Sequence, residues 1–289
     1  MLPLQARSRG ARLLLNPANL APVAFAGNVV VIHDAAALRE PGWYSTAYAS
    51  WQRLVMPRIA RGARAVIVPS LFSKGEVVEL LGARPERVEV IPGGVDDRFS
   101  PSADPGPARQ ALGLRRPYVL TVGGLTSRKN FAILELVAPR LGREGVDVVV
   151  AGEDRRELAA GERSGSVRYV GRVPDMLLPG LYAGAEAFVL PSLHEGFGLT
   201  ALEAMKSGLP VVASDRGALP ELCGEGAIYV DPLDPDALAS ALERAVGTGR
   251  PVGAALERAA RFSWEATASR VDRLVSRLLA ERPTGWPRS

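Results

Sequence analysis

Two glutamates flank a short segment rich in glycine, and their spacing is suited to holding a ligand. Glu195 and Glu203 are separated by seven residues that begin Gly-Phe-Gly-Leu-Thr. The glycines let the backbone approach a ligand closely. A helix that begins after Gly198 would offer free N–H groups and a partial positive charge to an anion. Phosphate binding alone explains neither carboxylate, whereas both are suited to accepting hydrogen bonds from sugar hydroxyls. The spacing fits equally well a capped strand–loop–helix turn with two solvated glutamates, so both interpretations stay open.

A second glycine loop carries two cations. Gly123 and Gly124 follow an apolar run, and Arg128 and Lys129 come shortly afterwards. If both loops leave the same edge of a sheet, these cations would neutralise a diphosphate and the charge that develops on it as it departs. An exposed basic turn is the other interpretation of this stretch, and the nearby glutamate loop makes it less favoured.

The elements that must position these loops alternate along the chain. Short runs rich in valine and isoleucine are typical of strands in a parallel sheet covered by helices. The predicted strands are Arg12–Leu15, Val29–His33, Ala65–Pro69, Val88–Ile91, Tyr118–Val122, Asp147–Ala151, Val167–Tyr169, Ala187–Leu190, Pro210–Ala213 and Ala227–Val230. The predicted helices lie near 43–62, 71–82, 130–143, 175–184, 200–207, 217–222, 235–246 and 264–279. This alternation predicts an α/β, doubly wound fold, in which ligands bind at the carboxyl ends of the strands.

The pattern divides the chain into two lobes. A stretch rich in proline and poor in large apolar residues is typical of an exposed connector. We predict an N-terminal lobe at 1–103, a linker at 104–116, a C-terminal lobe at 117–262, and a final helix and tail at 263–289. Because only four of the predicted strands fall in the N-terminal lobe, that lobe is expected to be incomplete. The final helix could pack against either lobe.

Composition and charge exclude several classes of function. The chain has 289 residues, of which 47% are apolar and 23% are charged, the usual range for a folded soluble protein. A single cysteine, Cys223, excludes an internal disulfide and indicates a reducing, cytoplasmic compartment. The net charge of +4 includes no long basic run, so nucleic acid is not an expected partner. No apolar run is long enough to cross a membrane, and no P-loop or dinucleotide fingerprint occurs.

The glutamate loop belongs to a longer motif. From Pro191-Ser192 through Glu195-Gly-Phe-Gly-Leu199 and Glu203-Ala-Met to Leu219-Pro-Glu221, the sequence resembles the donor-lobe signature of the retaining glycosyltransferases of family 4. Other similar segments, spread over nearly the whole chain, are Ile32-His33-Asp34, Val68-Pro-Ser70, Ile91-Pro-Gly-Gly-Val95, Val170-Gly-Arg-Val173, Leu181-Tyr182, Gly208-x-Pro210, Val230-Asp-Pro232 and Phe262-Ser-Trp264. The resemblance implies the GT-B fold, with two Rossmann-like doubly wound lobes facing a cleft.

The resemblance also implies a role for each matching residue. The catalytic residues would be Glu195, which contacts hydroxyls of the donor sugar, and His33, which reaches across the cleft. Glu203 would bind the ribose hydroxyls, and Val173 would lie beside the base. The residues implied to bind the donor are Gly123, Gly124, Arg128, Lys129, Val173, Phe197, Gly198, Leu199, Thr200 and Glu203. Taken alone, His33 is better explained as a hydrogen-bonded histidine at a strand end. His194, beside the motif, is interpreted as structural.

The function implied is transfer of a hexose, of the mannose, glucose or rhamnose type, from a nucleotide sugar to a glycan or lipid-linked acceptor with retention. The loop at Gly123–Asn130 is most similar to that of a bacterial subgroup rich in mannosyl- and rhamnosyltransferases of surface polysaccharide or glycoconjugate synthesis. A GDP- or UDP-sugar is the expected donor. No metal and no cofactor are expected, because Arg128 and Lys129 would supply the positive charge.

The resemblance also implies a shortened N-terminal lobe, because the family's early glycine-rich loop has no counterpart before Arg12. Three explanations stay open: a start codon assigned too late, a truncated remnant, and a variant that borrows the missing part from a partner. The alternative function is therefore a truncated, catalytically inactive module or subunit that binds a nucleotide sugar. Such a chain would be expected to associate, as a homo-oligomer or with a partner subunit, since a half sheet exposes an apolar edge.

One further segment combines aromatic and basic residues. Within Trp43–Val66, aromatic and apolar residues occur together with four arginines: Trp43, Tyr44, Tyr48, Trp51, Leu54 and Met56 beside Arg53, Arg58, Arg61 and Arg64. Such a helix could touch an anionic membrane surface, where lipid-linked acceptors reside, and would place the protein at the inner face of the membrane. An ordinary helix packed on the sheet, with an arginine-rich outer face, is the favoured interpretation.

Overall fold

The chain folds around two parallel β-sheets. A computed structural model describes Gln5 and residues 8–153, 166–247 and 253–281. The strands are β1 Leu14–Asn16, β2 Asn28–Val31, β3 Ala65–Val68, β4 Val88–Val90, β5 Tyr118–Val122, β6 Asp147–Ala151, β7 Val167–Gly171, β8 Ala187–Leu190, β9 Val211–Ser214 and β10 Ala227–Val230. Over the described ranges, the first sheet has the order β1-β2-β3-β4 and the second has the order β10-β9-β8-β5-β6-β7.

All ten predicted strands are present, with ends that agree within about two residues. Every residue of β3, β8 and β9 is buried, which is the burial expected when helices cover both faces of a parallel sheet. Neighbouring strands pair in parallel throughout both sheets. The doubly wound α/β fold is therefore confirmed.

Helices connect the strands. Their bounds are α1 Ala36–Arg39, α2 Thr46–Gly62, α3 Leu71–Leu81, α4 Gly106–Leu112, α5 Ala132–Arg143, α6 Leu178–Ala183, α7 Leu199–Lys206, α8 Leu219–Cys223, α9 Pro235–Gly247, α10 Ala254–Ala259 and α11 Trp264–Ala280. Serine side chains cap α2, α3 and α11 by accepting a hydrogen bond from a backbone N–H of the first turn. These caps explain why the three helices begin where they do.

Three helices in the described ranges were not predicted. α1, α4 and α10 have only four to seven residues, too few for a hydrophobic period to show in the sequence. α4 lies inside the predicted linker at 104–116, and its Ala108 is buried in the core of the second lobe together with Leu114. This stretch therefore has more structure than its composition indicates, and the predicted domain boundaries stay predictions.

The last helix returns to the first lobe. Leu274 and Leu278 of α11 pack against Val29, Ala65 and Ile67 on one face of the first sheet. The other face is covered by α2 and α3. The sequence left open which lobe α11 would cover. The predicted tail beyond 281 lies outside the described residues. In the described part of the chain, no helix has both the length and the apolar content that crossing a bilayer requires.

Candidate active site

The two glycine loops lie side by side because they follow neighbouring strands. β5 and β8 pair in parallel, so the loops after them leave the same edge of the second sheet. The loops also touch directly, since the N–H of Leu193 donates to the carbonyl oxygen of Arg128 at 2.9 Å. The cations of one loop therefore lie against the first glutamate of the other.

Glu195 is at the centre of a cluster formed with Arg128, Lys129 and Ser192, and the exposed fraction of Glu195 is 6%. Its Oε1 accepts hydrogen bonds from Lys129 Nζ at 2.6 Å and from Ser192 Oγ at 2.8 Å, and its Oε2 accepts one from Arg128 Nη1 at 3.3 Å. Burial alone would raise the pKa of Glu195, but the charges of Lys129 and Arg128 outweigh burial and hold this pKa below its usual value. Glu195 is therefore an ionised carboxylate and a weak base.

Arg128 joins the glutamate loop to the first lobe. Besides Glu195, its Nη1 donates to the carbonyl oxygen of His194 at 3.0 Å. Burial alone would lower the pKa of Arg128, but Glu195, Asp34 and Tyr44 raise it above its usual value, so the guanidinium stays charged. Burial and the charge of Asp34 raise the pKa of Tyr44 to about 12, which keeps its phenol neutral. Asp34 and Tyr44 belong to the first lobe, so Arg128 interacts electrostatically with residues of both lobes.

A cavity of about 490 Å³ lies between the lobes beside this cluster. Of the twelve predicted site residues, those in its lining are His33, Arg128, Lys129, Glu195, Phe197, Gly198, Leu199 and Thr200. Apolar residues of the first sheet and of α11, among them Val31, Ile67 and Trp264, form another part of the lining. The lining therefore combines charged and apolar side chains.

The amino end of α7 opens onto the cavity. Gly198 precedes the helix with a φ of +100°, and a Cβ there would lie 2.6 Å from the Leu219 side chain, so glycine is required. Thr200 Oγ1 is buried at this end and has no hydrogen-bond partner in the described part of the chain. An unpartnered hydroxyl beside the amino end of a helix suits an anionic oxygen.

Glu203 and Val173 lie outside the cavity lining, and so do Gly123 and Gly124. Glu203 Oε2 accepts a hydrogen bond from the hydroxyl of Tyr182 at 2.7 Å. Burial raises the pKa of Glu203 above its usual value, in spite of that hydrogen bond. Val173 is buried in the same hydrophobic core as Tyr182. The predicted contacts of these residues with ribose, base and diphosphate stay predictions.

His33 reaches the cavity from the first lobe. Its Nε2 lies 3.2 Å from the carbonyl oxygen of Pro17, and its backbone N–H donates to Asn19 Oδ1 at 2.8 Å. The imidazole is exposed, so a ligand in the cavity could contact it. The structure thus brings His33 and Glu195 to one cavity, although they come from different lobes.

Sequence reasoning missed several residues that hold this site. Ser192 bonds to Glu195, and Tyr182 bonds to Glu203. Both belong to segments that carried the family resemblance, which was the available signal. Asp34 and Tyr44 act on Arg128 only because the two lobes meet, and no spacing along the chain could show that. Among the described residues, no group of three or more His, Cys, Asp or Glu side chains is placed to hold a metal ion.

Comparison with known proteins gives the same family over most of the chain. Residues 116–247 match the family model described as Glycosyl transferases group 1, and residues 17–99 match that of Glycosyltransferase Family 4. O-antigen chain mannosyltransferase B of Escherichia coli is 30% identical over 254 residues, which cover 82% of this chain and 67% of that protein. The chain belongs to glycosyltransferase family 4. This family member spans 54% to 67% of the length of four curated relatives that it matches.

Solved structures confirm the GT-B fold of this glycosyltransferase. Sucrose-phosphate synthase from Thermosynechococcus elongatus superposes with a TM-score of 0.76 at 26% identity, over 96% of this chain and 76% of that chain. Anabaena HepE in complex with UDP-glucose superposes with a TM-score of 0.70 at 23% identity, over 86% of this chain and 72% of that chain. The two sheets described above are therefore the two lobes of this fold.

Proposed function

We propose that this glycosyltransferase moves a hexosyl group from a nucleotide sugar to an acceptor hydroxyl, with retention and without a metal ion. The observation that carries the proposal is the contact of Glu195 with Lys129 and Arg128 beside the cavity between the lobes. An ionised carboxylate offers acceptors to sugar hydroxyls, and two cations offer charge to a diphosphate. A nucleotide sugar carries both of these groups next to the bond that breaks.

The charges of the site suit a transfer in which the diphosphate leaves as an anion. The bond between the anomeric carbon and the diphosphate oxygen breaks, and its electron pair leaves with the diphosphate, which Arg128 and Lys129 stabilise. The acceptor oxygen bonds to the anomeric carbon from the same face. Because Glu195 is a weak base, the acceptor proton passes to the departing phosphate oxygen, whose own pKa is near 6. Glu195 then acts by hydrogen bonding and by its charge.

The relatives support a hexose and a nucleotide donor. The structure of Anabaena HepE contains UDP-glucose, and the Escherichia coli relative is named as a mannosyltransferase. We therefore propose UDP or GDP as the nucleotide and glucose or mannose as the sugar, with rhamnose as a third sugar to test. Surface polysaccharide or another glycoconjugate is the proposed product, since O-antigen chain synthesis is the named role of that relative.

Thermal unfolding with each of GDP, UDP, ADP and dTDP at millimolar concentration tests donor binding. A ligand at about 100 times its dissociation constant adds about 2.7 kcal/mol and raises the midpoint by a few degrees. We expect a shift with UDP or GDP, reduced in Glu203→Ala. Leu136→Ala is the matched control, because Leu136 is exposed on α5 away from the cavity lining. No shift with any nucleotide would contradict the proposal.

A transfer assay separates the proposed enzyme from the alternative, a module that binds a nucleotide sugar without turnover. The assay follows release of nucleoside diphosphate from UDP-glucose or GDP-mannose, with and without acceptor, and reads the anomeric configuration of the product by NMR. Binding without release would favour the module, and an inverted product would contradict retention.

We also propose that α2 contacts an anionic membrane that carries the acceptor. Tyr48, Trp51 and Leu54 are exposed in succession on this helix. The ring of Tyr48 stacks on that of Tyr44 and lies tilted against that of Trp51. Tyr44 in turn acts on Arg128, so this surface lies beside the candidate active site. Sedimentation with vesicles containing anionic lipid should capture the chain and lose the Trp51→Ser variant. Equal sedimentation with neutral vesicles would contradict this contact.

A further inference from the structure

The loop that carries Glu195 is fastened to the first lobe on both sides of that residue. On one side, His194 Nε2 lies 3.0 Å from Glu76 Oε2. On the other side, the carbonyl oxygen of Gly196 accepts hydrogen bonds from Ser70 Oγ at 2.7 Å and Ser73 Oγ at 2.9 Å. These three partners belong to α3 or its cap, whereas Lys129 and Ser192, which bond to Glu195 itself, belong to the second lobe. Glu195 therefore lies between two attachments to the opposite lobe.

The bond between His194 and Glu76 is buried. The Glu76 side chain is 2% exposed and that of His194 is 5% exposed. Glu76 also accepts a hydrogen bond from Arg39 Nε at 3.1 Å. Burial alone would raise the pKa of Glu76, but the hydrogen bonds from His194 and Arg39 hold it below its usual value. A buried carboxylate needs such partners, although a buried pair of this kind is weak evidence for added stability.

The histidine is attached through one nitrogen. Its Nδ1 is buried with no hydrogen-bond partner among the described residues. The imidazole is therefore hydrogen-bonded to the first lobe through the Nε2–H group that donates to Glu76. The imidazole ring packs edge-on against Trp43 at 6.2 Å and Phe72 at 5.3 Å between ring centres. Both aromatic residues belong to the first lobe, so His194 is inserted into that lobe.

Two segments to which the family resemblance gave no role meet where the two lobes touch at the amino end of α3. Val68-Pro-Ser70 ends at the cap of α3, and Leu219-Pro-Glu221 lies in α8 of the second lobe. The carboxylate of Glu221 accepts the N–H groups of Leu71 at 2.8 Å and Phe72 at 3.1 Å, so it caps α3 from across the cleft. At Gly196, a Cβ would overlap the carbonyl oxygen of His33. The close approach of the lobes therefore depends on the lack of a side chain at Gly196, and Glu221 adds hydrogen bonds across it.

We propose that His194 and Glu76 are positioning residues for Glu195. Their hydrogen bond, and those from Ser70 and Ser73 to Gly196, hold the loop that carries Glu195 in place from the opposite lobe. This inference rests on the proposed function. Arg128 donates to the carbonyl oxygen of His194, so a shift of His194 also moves a cation of the site. Separation of the lobes would free the loop, and contact between them would place Glu195 for reaction. Nucleotide binding by the second lobe would not need this contact.

Two substitutions of His194 test the proposal. His194→Phe keeps a ring between Trp43 and Phe72 but removes the donor to Glu76, whereas His194→Gln places an amide N–H near the position of Nε2 and keeps a donor. The readouts are kcat for donor consumption, the dissociation constant for UDP or GDP, and amide hydrogen exchange at residues 192–198. Misplacement of a catalytic group by about 1 Å costs on the order of 100-fold. We expect His194→Phe to lower kcat about 10- to 100-fold, to leave the dissociation constant within about twofold, and to speed exchange at 192–198.

His194→Gln should recover most of the turnover and of the exchange protection. Wild-type turnover and protection in His194→Phe would overturn the proposal. So would an equal loss in both variants, or faster exchange over the whole second lobe with weaker nucleotide binding, because either pattern indicates a merely structural role. If His194→Phe does not fold, Ser73→Ala removes a donor to Gly196 and should produce the same effects at a smaller size. A wild-type chain that binds nucleotide without turnover would refute the proposed enzymatic function. Hydrogen exchange at residues 192–198 would still test whether His194 holds the loop that carries Glu195.

Discussion

Replacing Glu195 by glutamine tests whether charge holds the candidate active site together. Glu195→Gln keeps the shape of the side chain and one acceptor oxygen, which Ser192 can still reach. It removes the negative charge that Lys129 and Arg128 share. The Lys129 side chain is 12% exposed and that of Arg128 is 21% exposed, so water can only partly replace the carboxylate.

The contacts set the expected size of the effect. A hydrogen bond to a charged group contributes about 1.5–3 kcal/mol, and removing one partner of a buried ion pair costs about 3–5 kcal/mol. Because glutamine keeps an acceptor and both cations keep some contact with water, we expect Glu195→Gln to lower the free energy of unfolding by about 2–3 kcal/mol. At about 2–4 °C per kcal/mol, Tm should fall by about 5–10 °C. Turnover should fall steeply, since the charge beside the donor sugar is lost.

Urea unfolding of four chains isolates the interaction: wild type, Glu195→Gln, Lys129→Met and the double variant. We expect a coupling free energy between Glu195 and Lys129 of about 1–2 kcal/mol near neutral pH, within the range for residues in contact. The folded pKa of Glu195 lies below its usual value of 4.5. Its charge therefore contributes stability that is complete above about pH 4.5 and is lost as the pH falls through the folded pKa. The gap between wild type and Glu195→Gln should be constant near neutral pH and should close in acid.

Two outcomes would refute this reasoning. A coupling free energy near zero would show that Lys129 and Glu195 do not stabilise each other. A gap that widens as the pH falls from neutral towards 4.5 would show that Glu195 is protonated more readily in the folded chain than in the unfolded chain, opposite to the direction that its contacts imply.

Glu203→Gln should have the opposite effect on stability to Glu195→Gln. Because burial raises the pKa of Glu203, its ionisation lowers the stability of the chain as the pH rises from 4.5 to the folded pKa. The variant should therefore be as stable as wild type, or more stable, near neutral pH. Urea unfolding checks this, and calorimetry with UDP or GDP should show weaker binding. Gly196→Ala should cost about 1–3 kcal/mol, because the new Cβ would overlap the carbonyl oxygen of His33. Gly142→Ala, in α5 with nothing within 4 Å of the new Cβ, is the matched control and should stabilise the chain by about 0.5–1 kcal/mol.

The sequence predicted the fold and one part of the site well, for a physical reason. Strands buried on both faces are continuous apolar runs, and they alternated with helices long enough to show a period. In a parallel sheet, loops that follow neighbouring strands must meet at one edge. The contact between Lys129 and Glu195 was therefore within reach of the sequence, although 66 residues separate them.

Three of the short helices were out of reach, although α6 and α8, which are equally short, were predicted. α1, α4 and α10 are each a turn or two long, and they persist because the tertiary structure packs them rather than because their residues favour a helix. Glu203 shows a second kind of limit. Its spacing along the sequence from Glu195 was evident, but its hydrogen bond to Tyr182 and its position outside the cavity lining depend on how α6 packs against α7.

The sequence by itself determined the alternation of strands and helices that builds the two sheets, because local periodicity encodes it. It also indicated that a glutamate and two cations would share one sheet edge, because parallel strands end at a common edge. Only the tertiary structure decided how the lobes meet. It returned α11 to the first lobe, inserted His194 beside Glu76, and capped α3 with Glu221 from the second lobe. These contacts join residues more than 100 positions apart, and they depend on the relative orientation of two separately folded sheets, which no local pattern specifies.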